Sequence, residues 1–368
     1  MALLTALAAC GSSGGSSSGG GGRAALPIDA TKVTPTCFVG GETPLIDNTA
    51  PDPDWTYNDP HVLKVNGTYW MYASSTDNFD FPVLLYRLTS TDNVHYTRHP
   101  AAPILEPDPG AWDGGGVETP AVVRFKGKYH LFWTGYPIEV GAEGYDVFDF
   151  RIGHATSTDG VHWTRNPNNP IVAPSSELGE PVLEENYWYQ FIVGEPGPVV
   201  YDDKIYLYFT AVGANVPLNT SLQVVGLTTS SDGNTWSAPQ LAIEPDQTLF
   251  PRDEDWIGYS TPNAIVLDGA VHLFYDVAHQ PDGGDWKQWR LHHSWSPDGA
   301  TGWTPDTAPL ATVGEYPWNT DEVRSADAFL DGQTLRLYYA GHQIYQGVEP
   351  PVAPNLAIAE KTCDLTPD

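Results

Sequence analysis

Two acidic and three hydroxyl residues stand at matching places in this sequence of 368 residues: Asp59, Thr119, Glu195, Thr261 and Ser325. The first four precede a proline (Pro60, Pro120, Pro196, Pro262), and Ala326 takes that place in the fifth. A pair of carboxyl groups can do chemistry that neither does alone. One donates a proton to a leaving oxygen while the other activates water or attacks carbon. Glu118, beside Thr119, adds a third carboxyl. Like charges held close push one pKa up, which keeps an acid protonated at neutral pH.

The equivalence of these places rests on an internal repeat. Five alternating apolar segments, 69–73, 129–133, 205–209, 271–275 and 335–339, begin 60, 76, 66 and 64 residues apart, and counting back nine from each start reaches the proline register. A tight-turn pair precedes each segment: Asn66-Gly67, Lys126-Gly127, Asp202-Asp203, Asp268-Gly269 and Asp331-Gly332. A further strand then runs into an Asp-Gly or Asp-Asn corner followed by an aromatic, as in Asp92-Asn93 with Tyr96, Asp159-Gly160 with Trp163, Asp232-Gly233 with Trp236 and Asp298-Gly299 with Trp303. Four strands per unit in five units predict an all-β chain, a five-bladed β-propeller of four-stranded antiparallel blades. Proline has no N–H to give a ladder, so the register prolines are expected at the first residue of each innermost strand. Residues 356–359 supply the third strand of the last unit, and its outer strand must come from the N-terminal segment around Cys37-Phe38.

Composition narrows the partners. With 17 Lys and Arg against 46 Asp and Glu, the surface field repels phosphate, which argues against nucleic acid. Residues 1–10 are apolar up to Cys10 and lead into a Gly/Ser tract; this resembles a bacterial lipoprotein signal with Cys10 as the lipidated residue. The expected organisation is a signal at 1–9, a flexible tether at 10–35 and one propeller domain at 36–368, in an exported monomer that meets a membrane only through its anchor. A closed ring brings its ends together, so Cys37 and Cys363 are expected to join as a disulfide.

The Asp59-Pro60 pair, the third-unit Glu195 and the five repeats together resemble the propeller glycosidases of glycoside hydrolase family 43 and its relatives in families 32, 62, 68 and 130. The resemblance implies an enzyme acting on an oligo- or polysaccharide of arabinoside, xyloside or fructoside type. It implies Asp59 as base or nucleophile, Glu195 as general acid, and a second-blade carboxyl that tunes the acid. Here the second-blade register holds Thr119 with Glu118 beside it, so either a bulge turns Glu118 inward to take that role or the triad is incomplete. Thr119, Thr261, Ser325 and Arg324, with the aromatics Trp112, Trp133, Trp256 and Tyr259, are the candidate sugar contacts. No cofactor is required and no metal-binding cluster is expected; the resemblance allows a structural Ca2+ in the channel. The rival reading is a carbohydrate-binding propeller without catalysis.

Overall fold

The computed structural model describes residues 26–47, 55–77, 80–137, 140–141, 144–145, 150–177, 184–215, 220–246, 248–249, 256–280, 288–343 and 355–368. Five antiparallel sheets form the ring. Their innermost strands are Trp55–Val65, Gly116–Phe125, Ile192–Tyr201, Trp256–Leu267 and Glu322–Asp331. Each is hairpinned to a second strand, Thr68–Asp77, Lys128–Tyr136, Lys204–Asn215, Ala270–Gln280 and Thr334–Gln343. Both central residues have positive φ in the first four hairpins, the turn form that matches strand twist. The fifth turn is displaced by one residue from its expected place. Asp331 pairs with Thr334, so Gly332 and Gln333 make the turn, and glycine takes the positive φ at the first central position.

Hydrophobic packing is divided among the seams between blades. Tyr72, Leu85, Leu131 and Trp133 fill the seam of blades one and two, and Phe132, Ile205, Leu207 and Phe209 that of two and three. Comparable clusters close the other three seams. The corners lock adjacent blades together. In the second blade Ser157 Oγ accepts from Gly160 N at 2.9 Å, and Tyr72 of the first blade donates to Gly160 O at 3.1 Å. A Cβ on Gly160 would lie 2.7 Å from that Tyr72 hydroxyl, so only glycine fits.

The fifth blade joins the two chain ends. Its third strand, Asn355–Asp364, pairs with Val39–Gly40. Corner serines Ser90, Ser157, Ser230 and Ser296 lie opposite Tyr69, Tyr129, Ile205 and Val271, and the matching pair in the fifth blade is Leu335 with Cys363. Cys363 is bonded to Cys37, with Cα atoms 5.1 Å apart. A covalent bond therefore replaces the peptide corner in the one blade whose corner would cross the chain ends. The segment expected to be tether is docked from Pro27 onward: Asp29 N donates to Leu365 O, Ala30 N to Asp268 and Gln333 to Pro27 O. Part of the expected tether thus packs on the propeller, and Cys10 lies outside the described residues. Replacing Cys37 and Cys363 together with serine should lower unfolding free energy by about 2–5 kcal/mol, read by denaturant titration, because the bond restricts the unfolded chain. An unchanged midpoint would show that the seam holds without it.

Candidate functional site

Every innermost strand breaks its pairing at one register. The bulges fall between Asn58 and His61, Glu118 and Ala121, Gly194 and Gly197, Ser260 and Asn263, and Arg324 and Asp327. The first residue of each bulge has positive φ: Asp59 52°, Thr119 49°, Glu195 51°, Thr261 48° and Ser325 55°. That conformation costs a non-glycine residue roughly 1–2 kcal/mol. The register prolines therefore sit inside the strands, and their place at a bulge explains why no ladder bond is lost.

Side chains of the second strands offset the strain. The residues at this second register are Ser74, Thr134, Thr210, Asp276 and Ala340. Each of the first four meets the bulge residue 15 positions before it. Each also accepts the bulge N–H of the next blade: Thr119 N on Ser74 at 2.8 Å, Glu195 N on Thr134 at 2.6 Å, Thr261 N on Thr210 at 2.8 Å and Ser325 N on Asp276 at 3.0 Å. Ala340 has no acceptor to offer. There the ring closes differently, with Ser325 Oγ donating to Asp59 Oδ1 at 2.6 Å.

The bulge cancels the usual alternation of faces. Asp59, Pro60 and His61 are consecutive, yet all three line one axial cavity together with Thr119, Glu195, Thr261 and Ser325. Glu118 comes within electrostatic reach of both Asp59 and Glu195. Asp59 accepts from Ser74 at 2.7 Å and from Ser325, and Glu195 Oε2 accepts from Thr210 at 2.5 Å and Thr261 N at 3.0 Å. Arg324 Nη2 lies 3.7 Å from Glu195 Oε1. Glu118 receives no hydrogen bond from the described residues; burial, then the charges of Asp59 and Glu195, push its carboxyl up to about 8.

Asp276, which the sequence reading missed, is fully buried beneath this ring. Burial pushes it up to about 8, although the Thr261 hydroxyl at 2.6 Å and the Ser325 N–H act the other way. The signal was present: Asp276 stands at the register of Ser74, Thr134 and Thr210. Glu322 and His342 were missed as a pair too. Burial disfavours charge on Glu322, yet His342 Nδ1 at 2.8 Å and Arg324 hold its carboxyl down at about 2. Burial also opposes charge on Arg324, but Glu322, Glu195, Asp276 and Asp59 keep it cationic, and it packs over the Trp289 ring at 4.9 Å.

Two expected sugar contacts are core residues. Trp133 has no exposed surface and occupies the wedge register shared with Ala73, Phe209, Tyr275 and Tyr339, all buried. Tyr259 is 1% exposed, at the register of Tyr57, Val117, Val193 and Val323, and packs on Tyr275. Trp112 is part-buried and stacks on Trp133, while the Trp256 side chain lies outside the described residues. The axial carboxylate of Asp327 is already engaged: Oδ1 accepts from Asn263 and faces His61, and Oδ2 accepts from Val62 N. Among the described residues no cluster of His, Cys, Asp and Glu is arranged to hold a metal.

No protein-family model and no curated sequence matches the chain. Solved structures do. The protein of the BT0996 RGII complex is 14% identical, with a TM-score of 0.64 over 91% of this chain and 92% of its own. A thermostable family-43 glycoside hydrolase is 14% identical with a TM-score of 0.56 over 83% and 89%. A family 117 glycoside hydrolase from Zobellia galactanivorans is 19% identical with a TM-score of 0.58 over 89% and 90%. At these identities the likeness establishes the five-bladed fold.

The raised carboxyls set a pH dependence. The folded protein keeps protons on Glu118 and Asp276 that the unfolded chain releases above its ordinary carboxyl range. Their contribution to stability is complete below that range and is lost as pH rises through about 8. Thermal unfolding followed across this window should show a decline that Glu118→Gln and Asp276→Asn each flatten. A slope indifferent to both substitutions would mean that neither carboxyl carries the extra proton.

Proposed function

We propose that the chain is a glycoside hydrolase acting on an oligo- or polysaccharide of arabinoside, xyloside or fructoside type, exported from the cell. One observation carries the reading: Asp59 and Glu195 line one axial cavity, each held by hydrogen-bond donors, and the carboxyl of Glu118, within electrostatic reach of both, is held protonated near neutrality. A glycosidic bond needs such a division of labour, a proton for the departing oxygen and negative charge opposite the developing oxocarbenium ion. Structural neighbours described as glycoside hydrolases of families 43 and 117 support it, and the disulfide fits an oxidising compartment.

The roles differ from those carried over by resemblance. Glu195 accepts two hydrogen bonds and faces Arg324, so both of its oxygens already have partners. Glu118 has the environment of an acid. In this reading Glu118 protonates the leaving oxygen, Asp59 acts as base or nucleophile, and Glu195 with Arg324 stabilises charge on the sugar ring.

Leaving-group dependence tests the assignment. On unactivated oligosaccharides Glu118→Gln should lose about 10²–10⁴-fold in kcat. On nitrophenyl glycosides, whose leaving group needs no proton, it should lose far less, whereas Asp59→Asn should abolish both. Selective sparing of nitrophenyl substrates by Glu195→Gln would return the acid role to Glu195. Wild type that binds sugars yet cleaves none across arabinoside, xyloside and fructoside panels would leave a binding protein.

A further inference from the structure

A second cleft lies on the flank of the ring, at the seam of blades four and five, where the corner of the fifth blade is missing. In the second blade the equivalent cleft, about 350 Å³, is walled by the corner of the third, where Gly233 packs on His130 with room for no Cβ. In the fourth blade His272 holds the place of His130, and the docked residues Ala30, Thr31, Val33 and Thr34 form the far wall instead. A cleft of about 460 Å³ is left, within the size range of small-ligand sites.

At one third-strand position its lining breaks a residue type that the other four blades share. The third-strand residues opposite Trp70, His130, Tyr206 and Arg336 are Thr89, Thr156, Thr229 and Thr362. Opposite His272 the residue is Trp295. It is 40% exposed, and the fold does not require an indole where four blades use threonine. Beneath it His272 and His293 stack with ring nitrogens 3.0 Å apart, and His293 Nδ1 is anchored by Asp306 at 3.1 Å. Burial holds His272 neutral, at about 3. Asp268, Thr31 and Thr34 add hydroxyl and carboxylate groups at the walls, and among the described residues no Lys or Arg lines the cleft.

We propose that this cleft is a second saccharide site, distinct from the axial pocket, which holds a neutral glycan chain by stacking a sugar ring on Trp295. An aromatic face ringed by hydroxyl, carboxylate and imidazole groups matches the alternating C–H faces and hydroxyls of a sugar, and a lining without cationic groups disfavours anions. The ligand class rests on the carbohydrate reading of the axial pocket. The site's effect is to keep a polymer on the protein while the axial pocket acts on it.

The test uses Trp295→Thr, the residue that four blades carry, and Asp306→Ala, with arabinan, xylan and fructan as probes in affinity electrophoresis. Trp295→Thr should weaken retention by at least one of these polymers about tenfold, with unchanged circular dichroism and unchanged turnover of nitrophenyl glycosides. Asp306→Ala should weaken it less. Retention of every polymer unaffected by Trp295→Thr, or no retention of wild type, overturns the site. The two proposals fail separately: Trp295-dependent retention without hydrolysis leaves this site and removes the hydrolase, and hydrolysis without it does the reverse.

Discussion

The structure depends on a backbone feature: five bulges at one register, each with a non-glycine residue held at positive φ. In an unbroken strand, neighbouring side chains alternate between faces, and an acid next to the register position would point away from the axis. The bulge removes that restriction and lets residues 59–61 and 119–121 line one cavity. It is strained, and it persists because second-strand hydroxyls and the Asp276 carboxylate take the freed N–H groups of the neighbouring blade. Each such bond contributes on the order of 1 kcal/mol, comparable to the strain it offsets. The same bonds link one blade to the next, so the geometry of the site and the integrity of the ring have a common cause.

Charge is distributed unevenly across that ring. Asp59, Glu118, Glu195, Asp276 and Glu322 surround the Arg324 guanidinium. One cation cannot neutralise five acids in a buried place, and the protonation pattern follows from which acids have donors. Asp59 and Glu195 accept hydroxyl and N–H bonds, and Glu322 has His342. Glu118 has no donor among the described residues, and Asp276 has too few to offset its complete burial, so these two keep protons. For both, burial is the larger cause.

Much of this could be read from residue types. Turn pairs, prolines and corner aromatics mark positions where few residues are physically admissible, and counting between them located the five blades, Asp59 and Glu195. The bulge was not legible, because alternation records which residues are apolar and not where the chain slips by one; the prolines were therefore expected at strand starts. Aromatic type alone did not separate a sugar platform from a core wedge, and Trp133 and Tyr259 were misassigned although their registers are apolar or small in every blade. Asp276 and Trp295 were legible in principle, since each breaks the residue type of its register, but only after third and second strands are aligned across all five units.

The central claim is that Glu118 lies within electrostatic reach of Asp59 and Glu195 and owes its proton partly to their charge. Side-chain carboxyl carbon resonances of Glu118, titrated in wild type and in Asp59→Asn, test it most directly. A midpoint near 8 in wild type that moves toward the ordinary glutamate range when Asp59 loses its charge is the predicted result. An ordinary midpoint in wild type, or one that Asp59→Asn leaves in place, would contradict it.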